Sequence, residues 1–196
     1  FMDRLTRVAM SPESGEEAAK LGAQMMAFNY KPMEVQKEEY EQYKVKYVEC
    51  HGRNPRPLLL TDMCICDSDA SRAKENSKYI ANYLLSVLHH YDLMGDHYKN
   101  AKGYEAYGDA VDALRETGKE GMMEAYVEGQ IWGTPDQMLK KFEARKKEMG
   151  QTDCLMAFRF AGIDYKTAQR SQKLFAEEVM PVLKSWEEDD AAEKAA

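Results

Sequence analysis

Short apolar runs alternating with helix signals constrain this chain more than any other feature. Leu5–Met10 (LTRVAM), Ala23–Asn29 (AQMMAFN), Leu58–Cys66 (LLLTDMCIC) and Cys154–Phe160 (CLMAFRF) have strand length and strand character. Each is separated from the next by a helical pattern. After the first run, Ser14 reads as a helix N-cap with Glu17 three residues on, and Gly22 as the stop. Pro32 opens a charged helix over about 33–50, and Ala73, Ile80, Leu84, Val87 and Leu88 mark one long helix over about 68–93. Thr134, Pro135 and Gln137 agree on another helix start, with Gly150 as its end. A last helix over about 166–183 carries Ala168, Ser171, Leu174, Phe175 and Val179 on one face.

Strands alternating with helices imply parallel strands joined by right-handed crossovers. Four such units make an α/β chain that is either half of a (β/α)8 TIM-type barrel or a small open sheet. No Gly-rich dinucleotide fingerprint follows the first strand, which weakens the open-sheet reading. Between the third and fourth units lies an insertion, about 95–132, holding glycines at 95, 103, 108, 118, 121 and 129. The half-barrel domain is therefore expected over 1–186, with 187–196 an acidic, frayed tail.

Composition narrows the function classes. The 196 residues carry a formal net charge of −7, against the basic face that nucleic acid or an anionic membrane would want. No apolar run approaches a membrane span, the first twenty residues do not read as a signal peptide, and no N-x-[ST] sequon occurs. Four cysteines (Cys50, Cys64, Cys66, Cys154) do not make a disulfide scaffold. A cytoplasmic protein is the expectation. Cys64 and Cys66 lie at i, i+2 on one strand face without a second ligand pair, so no zinc site is expected. His89 and His90 lack the HExxH context, so no metal is expected there either. The thirteen methionines read as adaptable core packing.

One stretch stands out for chemistry. Ser11-Pro12-Glu13-Ser14-Gly15 falls between a strand end and a helix start, the functional face of a parallel α/β scaffold. Two hydroxyls and the free amides of a first helical turn would suit a phosphate, although helix capping is the commoner role for such serines. No nucleophile–base pair and no G-x-S-x-G elbow accompany it.

Four segments in this order, VAMSPESGEEAAKLGAQMM, CICDSDASRAKE, WGTPDQMLKKFEARKKEMG and RSQKLFAEEVMPVLK, resemble the C-terminal half of the bacterial luciferase-like flavin monooxygenases. The resemblance spans about 5–185 and implies the fifth to eighth strands of a (β/α)8 barrel. It implies a reduced FMN at the barrel mouth, with the phosphate on the turn after the first strand here. Carried over, the cofactor-binding residues are Met10, Ser11, Glu13, Ser14 and Gly15, with Asn29 toward the flavin ring. Cys64 and Ile65 fall near the implied substrate pocket, and the insertion matches a lid region. The implied activity is a flavin-dependent monooxygenase acting with O2 on a small organic substrate. An F420-dependent hydride transfer on the same fold and a non-catalytic flavin-binding or dimerisation module are the alternatives. No metal, nucleic acid or membrane partner is implied, and a homodimer is in keeping with the family. The family's first four strands have no counterpart here. A fragment of a longer enzyme is the simplest expectation, and two half-barrels pairing as a dimer is the second.

Overall fold

The computed structural model describes residues 4–92 and 118–186. Most of the expected lid, and the acidic tail, lie outside the described residues. The chain runs β1 (Thr6–Val8), α1 (Pro12–Lys20), β2 (Gln24–Phe28), α2 (Met33–His51), β3 (Leu58–Met63), β4 (Ile65–Cys66), α3 (Ala70–Asn76) and α4 (Lys78–His90). After the insertion come α5 (Lys119–Gly129), β5 (Trp132–Gly133), α6 (Pro135–Met149), β6 (Thr152–Ala157) and α7 (Tyr165–Leu174). A π-helical turn, Phe175–Val179, continues α7, and helix resumes to 186. Strands β1, β2, β3 and β6 form one parallel sheet in that order, while β4 and β5 pair beside it. This is the α/β half-barrel that the alternation of runs implies.

Several boundaries differ from the sequence expectation for local reasons. The N-cap of α1 is Ser11, not Ser14: Pro12 sets the first helical φ, and Ser14 occupies N3 in a reciprocal box with Ser11. The run 58–66 is two strands, because the chain changes partner at Cys64. Its N–H still donates to the Ala157 carbonyl (2.8 Å), whereas Ile65 already pairs with Trp132. The short strand β5 sits in a stretch expected to be loop and helix. Its Gly133 has φ +135°, and a Cβ there would lie 2.8 Å from Gln137, so only glycine fits. The single helix expected over 68–93 breaks at Ser77, whose hydroxyl donates back to the Lys74 carbonyl. The last strand runs Thr152–Ala157, slightly earlier than 154–160.

Two packed layers hold the sheet. On its helix side, Ala9, Met25, Ala27, Leu58 and Leu60 pack against Ala18 and Ala19 of α1 and the tyrosines of α2. Tyr40, Tyr43, Tyr47 and His51 form a continuous aromatic row along α2, with centroids 5.8, 5.7 and 4.6 Å apart. Their polar tips reach backbone carbonyls: Tyr43 donates to Ala23, Tyr47 to Gly22, Tyr40 to Arg56, and His51 Nε2 meets Ala19. Burial first of all pushes the Tyr40 hydroxyl up to about 12. Further along, Cys64 and Cys66 join Met138, Phe142, Phe175 and Val179.

A buried charge pair crosses between these layers. Asp62 of β3 and Arg145 of α6 are 0% and 1% exposed, and the guanidinium donates to both carboxylate oxygens at 2.7 and 2.8 Å. Burial alone would lower the Arg145 pKa, but the facing carboxylate outweighs it and raises the value. Removing one partner strands the other charge in the core, a loss of about 3–5 kcal/mol. We predict that Arg145→Met or Asp62→Asn lowers the denaturant midpoint sharply. The double variant Asp62→Leu/Arg145→Met should recover most of the loss, as equilibrium unfolding would show.

Candidate functional site

The C-terminal ends of the parallel strands form one rim, and the loop from Met10 to Gly15 leaves β1 there. Extended Ser11 (φ −139°, ψ 160°) caps α1, its Oγ accepting from the Ser14 N–H at 3.3 Å. Ser14 Oγ accepts from the N–H groups of Met10 and Ser11, both at 3.0 Å, and donates to the Ser11 carbonyl at 2.9 Å. The Ser14 hydroxyl is thus committed to folding the corner. Pro12 offers no amide, and Gly15 N–H bonds the Ser11 carbonyl. The amide of Glu13 is met by that residue's own carboxylate. This contact, followed by one from Ser11, holds the exposed Glu13 carboxyl below its usual range. An anion therefore already occupies the first turn of α1, and it belongs to the chain. Beside it, Gly15 is buried, yet a Cβ built there meets nothing within 4 Å. The corner keeps open space beside Gly15.

Lys31, in the loop after β2, completes this corner and was not anticipated from the sequence. Its Nζ donates to the Met10 carbonyl at 2.9 Å and pairs with Glu39 at 2.5 Å. Met10 Sδ in turn accepts from the Phe28 N–H at 3.4 Å, so Met10 ties the first two strand tips together. A lysine just past a strand end, directly before Pro32, was the available signal.

Asn29 closes β2 but is 6% exposed and turned into a buried polar network. Its amide donates to Asp62 and to the Gly129 carbonyl, both at 2.8 Å, and its side-chain oxygen accepts from Gln36 at 2.8 Å. Gln130 donates to the Asn29 backbone carbonyl and accepts from the Met63 N–H at 2.8 Å. Sequence reasoning missed Asp62, Gln36, Gln130 and Arg145: Asp62 is a lone polar residue within an apolar run, while Gln36 and Arg145 sit in charged helical stretches that read as solvated faces.

Cys64 and Ile65 lie on the third strand tip and face opposite ways. Cys64 packs among the helices, whereas Ile65 joins Met63, Ile80 and Phe160 on the other face, beneath Tyr79, Tyr83, Tyr126 and Trp132. The structure therefore brings Met10–Gly15 and Lys31 together and sets Asn29, Cys64 and Ile65 apart from them in buried positions. Two clefts open on the described surface. One, of about 250 Å³, is lined by Cys66, Asp67, Ser68, Arg72, Arg170 and Lys173, with Arg72 held on Asp67 at 2.7 Å. The other, of about 540 Å³, runs along the outer side of β6 past Phe158 and Trp186. Among the described residues no cluster of three or more His, Cys, Asp or Glu could hold a metal ion, and no helix is long and apolar enough to cross a membrane.

No protein-family model and no curated protein matches the chain. Solved structures do. Monooxygenase RslO1 from Streptomyces bottropensis aligns with TM-score 0.64 at 16% identity, over 92% of this chain and 48% of its own. The oxygenating constituent of 3,6-diketocamphane monooxygenase from Pseudomonas putida, solved with FMN, gives 0.64 at 16% identity, over 90% and 47%. The coenzyme F420-dependent tetrahydromethanopterin reductase from Methanopyrus kandleri gives 0.55 at 20% identity, over 89% and 49%. The chain has the fold of luciferase-like TIM-barrel oxidoreductases and spans about half the length of these neighbours.

The thiols give a direct check of this geometry. Burial above all raises the Cys64 thiol well above its usual range and pushes Cys66 up to about 12. We predict that Cys50, which is exposed, reacts with a disulfide reagent at pH 8, whereas Cys64 and Cys66 react only on unfolding. A thiol with its folded pKa raised stabilises the fold fully below the unfolded value. That part of the stability should fade between about pH 9 and 12, measurable as a falling melting temperature.

Proposed function

We propose that the chain builds part of the cofactor rim of a flavin-dependent oxidoreductase of the luciferase-like type. The reading that fits best is a monooxygenase using reduced FMN and O2 on a small organic substrate. The observation that carries it is the corner after β1: a hydroxyl-lined helix start with buried room beside it, at the strand ends of this particular fold.

The residues present fit the phosphate end of such a cofactor. Ser11 Oγ and the Glu13 amide would donate to the phosphate once the Glu13 carboxylate swings away. Gly15 leaves the space, and Lys31 Nζ, held on the Met10 carbonyl and paired with Glu39, would turn part of its charge to the phosphate. Ser14 holds the corner's shape rather than donating outward. Asn29 acts through its network, fixing the tip of β2 at the height the ring would take. Ile65, with Met63 and Phe160, forms an apolar wall suited to an organic substrate, and Cys64 backs it. When bound with O2, reduced FMN supplies the means to insert one oxygen atom into the substrate while the other leaves as water. The protein's part is to bind, orient and keep water away.

The F420-dependent neighbours favour a second reading, hydride transfer without oxygen. A competition titration of FMN against F420 separates the two.

Three variants test the corner by anaerobic fluorescence titration. Lys31→Met should weaken FMN about tenfold, the loss expected of one charge-assisted contact, and leave riboflavin unchanged. Glu13→Gln should tighten FMN by removing the competing carboxylate. Gly15→Ala, at a compatible helical position, should raise the melting temperature slightly yet weaken FMN by filling the room beside the corner. Equal affinity of the wild-type chain for FMN and riboflavin would show that the corner does not hold a phosphate.

A further inference from the structure

The end of α5 is held by side chains from three other elements. A helix leaves its last carbonyls without intrahelical partners. Here four consecutive ones are taken from outside. Trp132 Nε1 of β5 donates to the Val127 carbonyl at 2.8 Å, and the Asn29 amide, just past β2, donates to that of Gly129 at 2.8 Å. Lys141 Nζ of α6 serves the other two, Glu128 at 2.8 Å and Gln130 at 2.9 Å, and lies 5.0 Å from the centre of the Trp132 ring. Other lysines are held differently. Lys20, Lys44 and Lys46 each have a carboxylate within 3.0 Å, which keeps an ammonium charged. Lys141 meets the Glu128 carboxylate only at 3.9 Å.

An ammonium carries three N–H groups, and a neutral amine carries two and a lone pair. Main-chain carbonyls accept from either form. Lys141 can therefore lose one proton, keep both carbonyl contacts and have a lone pair free. Burial, ahead of every other influence, lowers its pKa; Glu128 of α5 and Asp62 of β3 oppose this, and Arg145 of its own helix adds to it. We propose that Lys141 Nζ is acylated by a small acyl phosphate, and that the resulting amide loosens the end of α5 from α6. In that step the Nζ lone pair attacks the acyl carbon. The C–N bond forms and the C–O bond to phosphate breaks. Phosphate leaves with the electron pair, and a proton of the amine passes to solvent. The amide nitrogen keeps one N–H, so one of the two carbonyls loses its donor, and the charge over Trp132 is gone. All the groups involved lie on or beside β2, β3, α5, β5 and α6, so neither an edge of the sheet nor a cofactor takes part.

The test compares two lysines of matched access: the side chains of Lys141 and Lys46 are 27% and 28% exposed. Lys46 is held by Glu49, and that contact above all raises its pKa. The folded 196-residue chain is treated with excess acetyl phosphate from neutral to alkaline pH, and acetylation of each lysine is followed by peptide mass spectrometry. Lys141 should acetylate about tenfold faster than Lys46 at pH 8, the ratio that one pKa unit produces in the neutral fraction. Its rate should also reach half its plateau at the lower pH. In denaturant the two rates should become equal. The release is read from Trp132 fluorescence in a Trp186→Phe chain, which leaves Trp132 as the single tryptophan. Acetylation should shift that emission relative to an equally treated Lys141→Arg chain, which keeps the charge and the donors. Untreated Lys141→Gln should reproduce the shift. A rate for Lys141 no greater than that of Lys46, or a ratio that persists in denaturant, overturns the site. Acetylation of Lys141 that leaves the Trp132 emission unmoved overturns the release.

Discussion

The charge pair between Asp62 and Arg145 organises the rest of the molecule. It sits where strand, flanking helix and rim loops converge, and its carboxylate also takes the Asn29 amide. Asn29 in turn engages Gln36 of α2 and the carbonyl that ends α5. One buried carboxylate thereby fixes the relative positions of four elements from distant parts of the sequence. Apolar contacts alone would tolerate sliding between sheet and helices, whereas a bidentate pair with stated donors does not. Lys141 extends the same logic outward: its Nζ caps the Glu128 and Gln130 carbonyls and lies over the Trp132 ring. The loop entering β5 is pinned at the rim by these contacts.

Fold and site differ in how far the sequence announced them. Apolar runs at Leu58–Cys66 and the Thr134-Pro135-Gln137 signal carry their meaning locally, because period, capping and proline geometry act within a few residues. The alternation of strands and helices then dictates parallel pairing. The misplaced cap of α1 shows the limit of that local reading. Ser11 and Ser14 are both competent caps, and only the position of Pro12 relative to the incoming strand selects between them. The polar network was illegible for a different reason. Asn29, Asp62 and Arg145 are separated by long stretches of chain, and their pairing exists only once three elements have packed. Likewise, the place of Lys31 just past a strand end is the one local signal it carries, and its contact exists only once the Met10 carbonyl is brought beneath it.

At the corner after β1 a few atoms carry several structural contacts at once. Ser14 is spent on the turn, and the remaining donors are already engaged: the Ser11 hydroxyl on Ser14 Oγ, the Glu13 amide on its own carboxylate, and Lys31 on the Met10 carbonyl and Glu39. The carboxylate of Glu13 fills the electropositive helix start in the meantime, satisfying an amide that would otherwise face solvent alone. On the proposed reading, such an internal occupant favours a ligand whose negative charge exceeds that of one carboxylate. A phosphate monoester, the group proposed for this corner, meets that condition better than a neutral tail.

The aromatic row on α2 carries a consequence for motion. Its four polar tips end on carbonyls distributed from Ala19 to Arg56, so they act as teeth engaged along one side of a gear. Turning α2 by a single residue would disengage them all together. Helices α1 and α2 must travel as a locked unit, and whatever admits a guest to the rim has to hinge elsewhere.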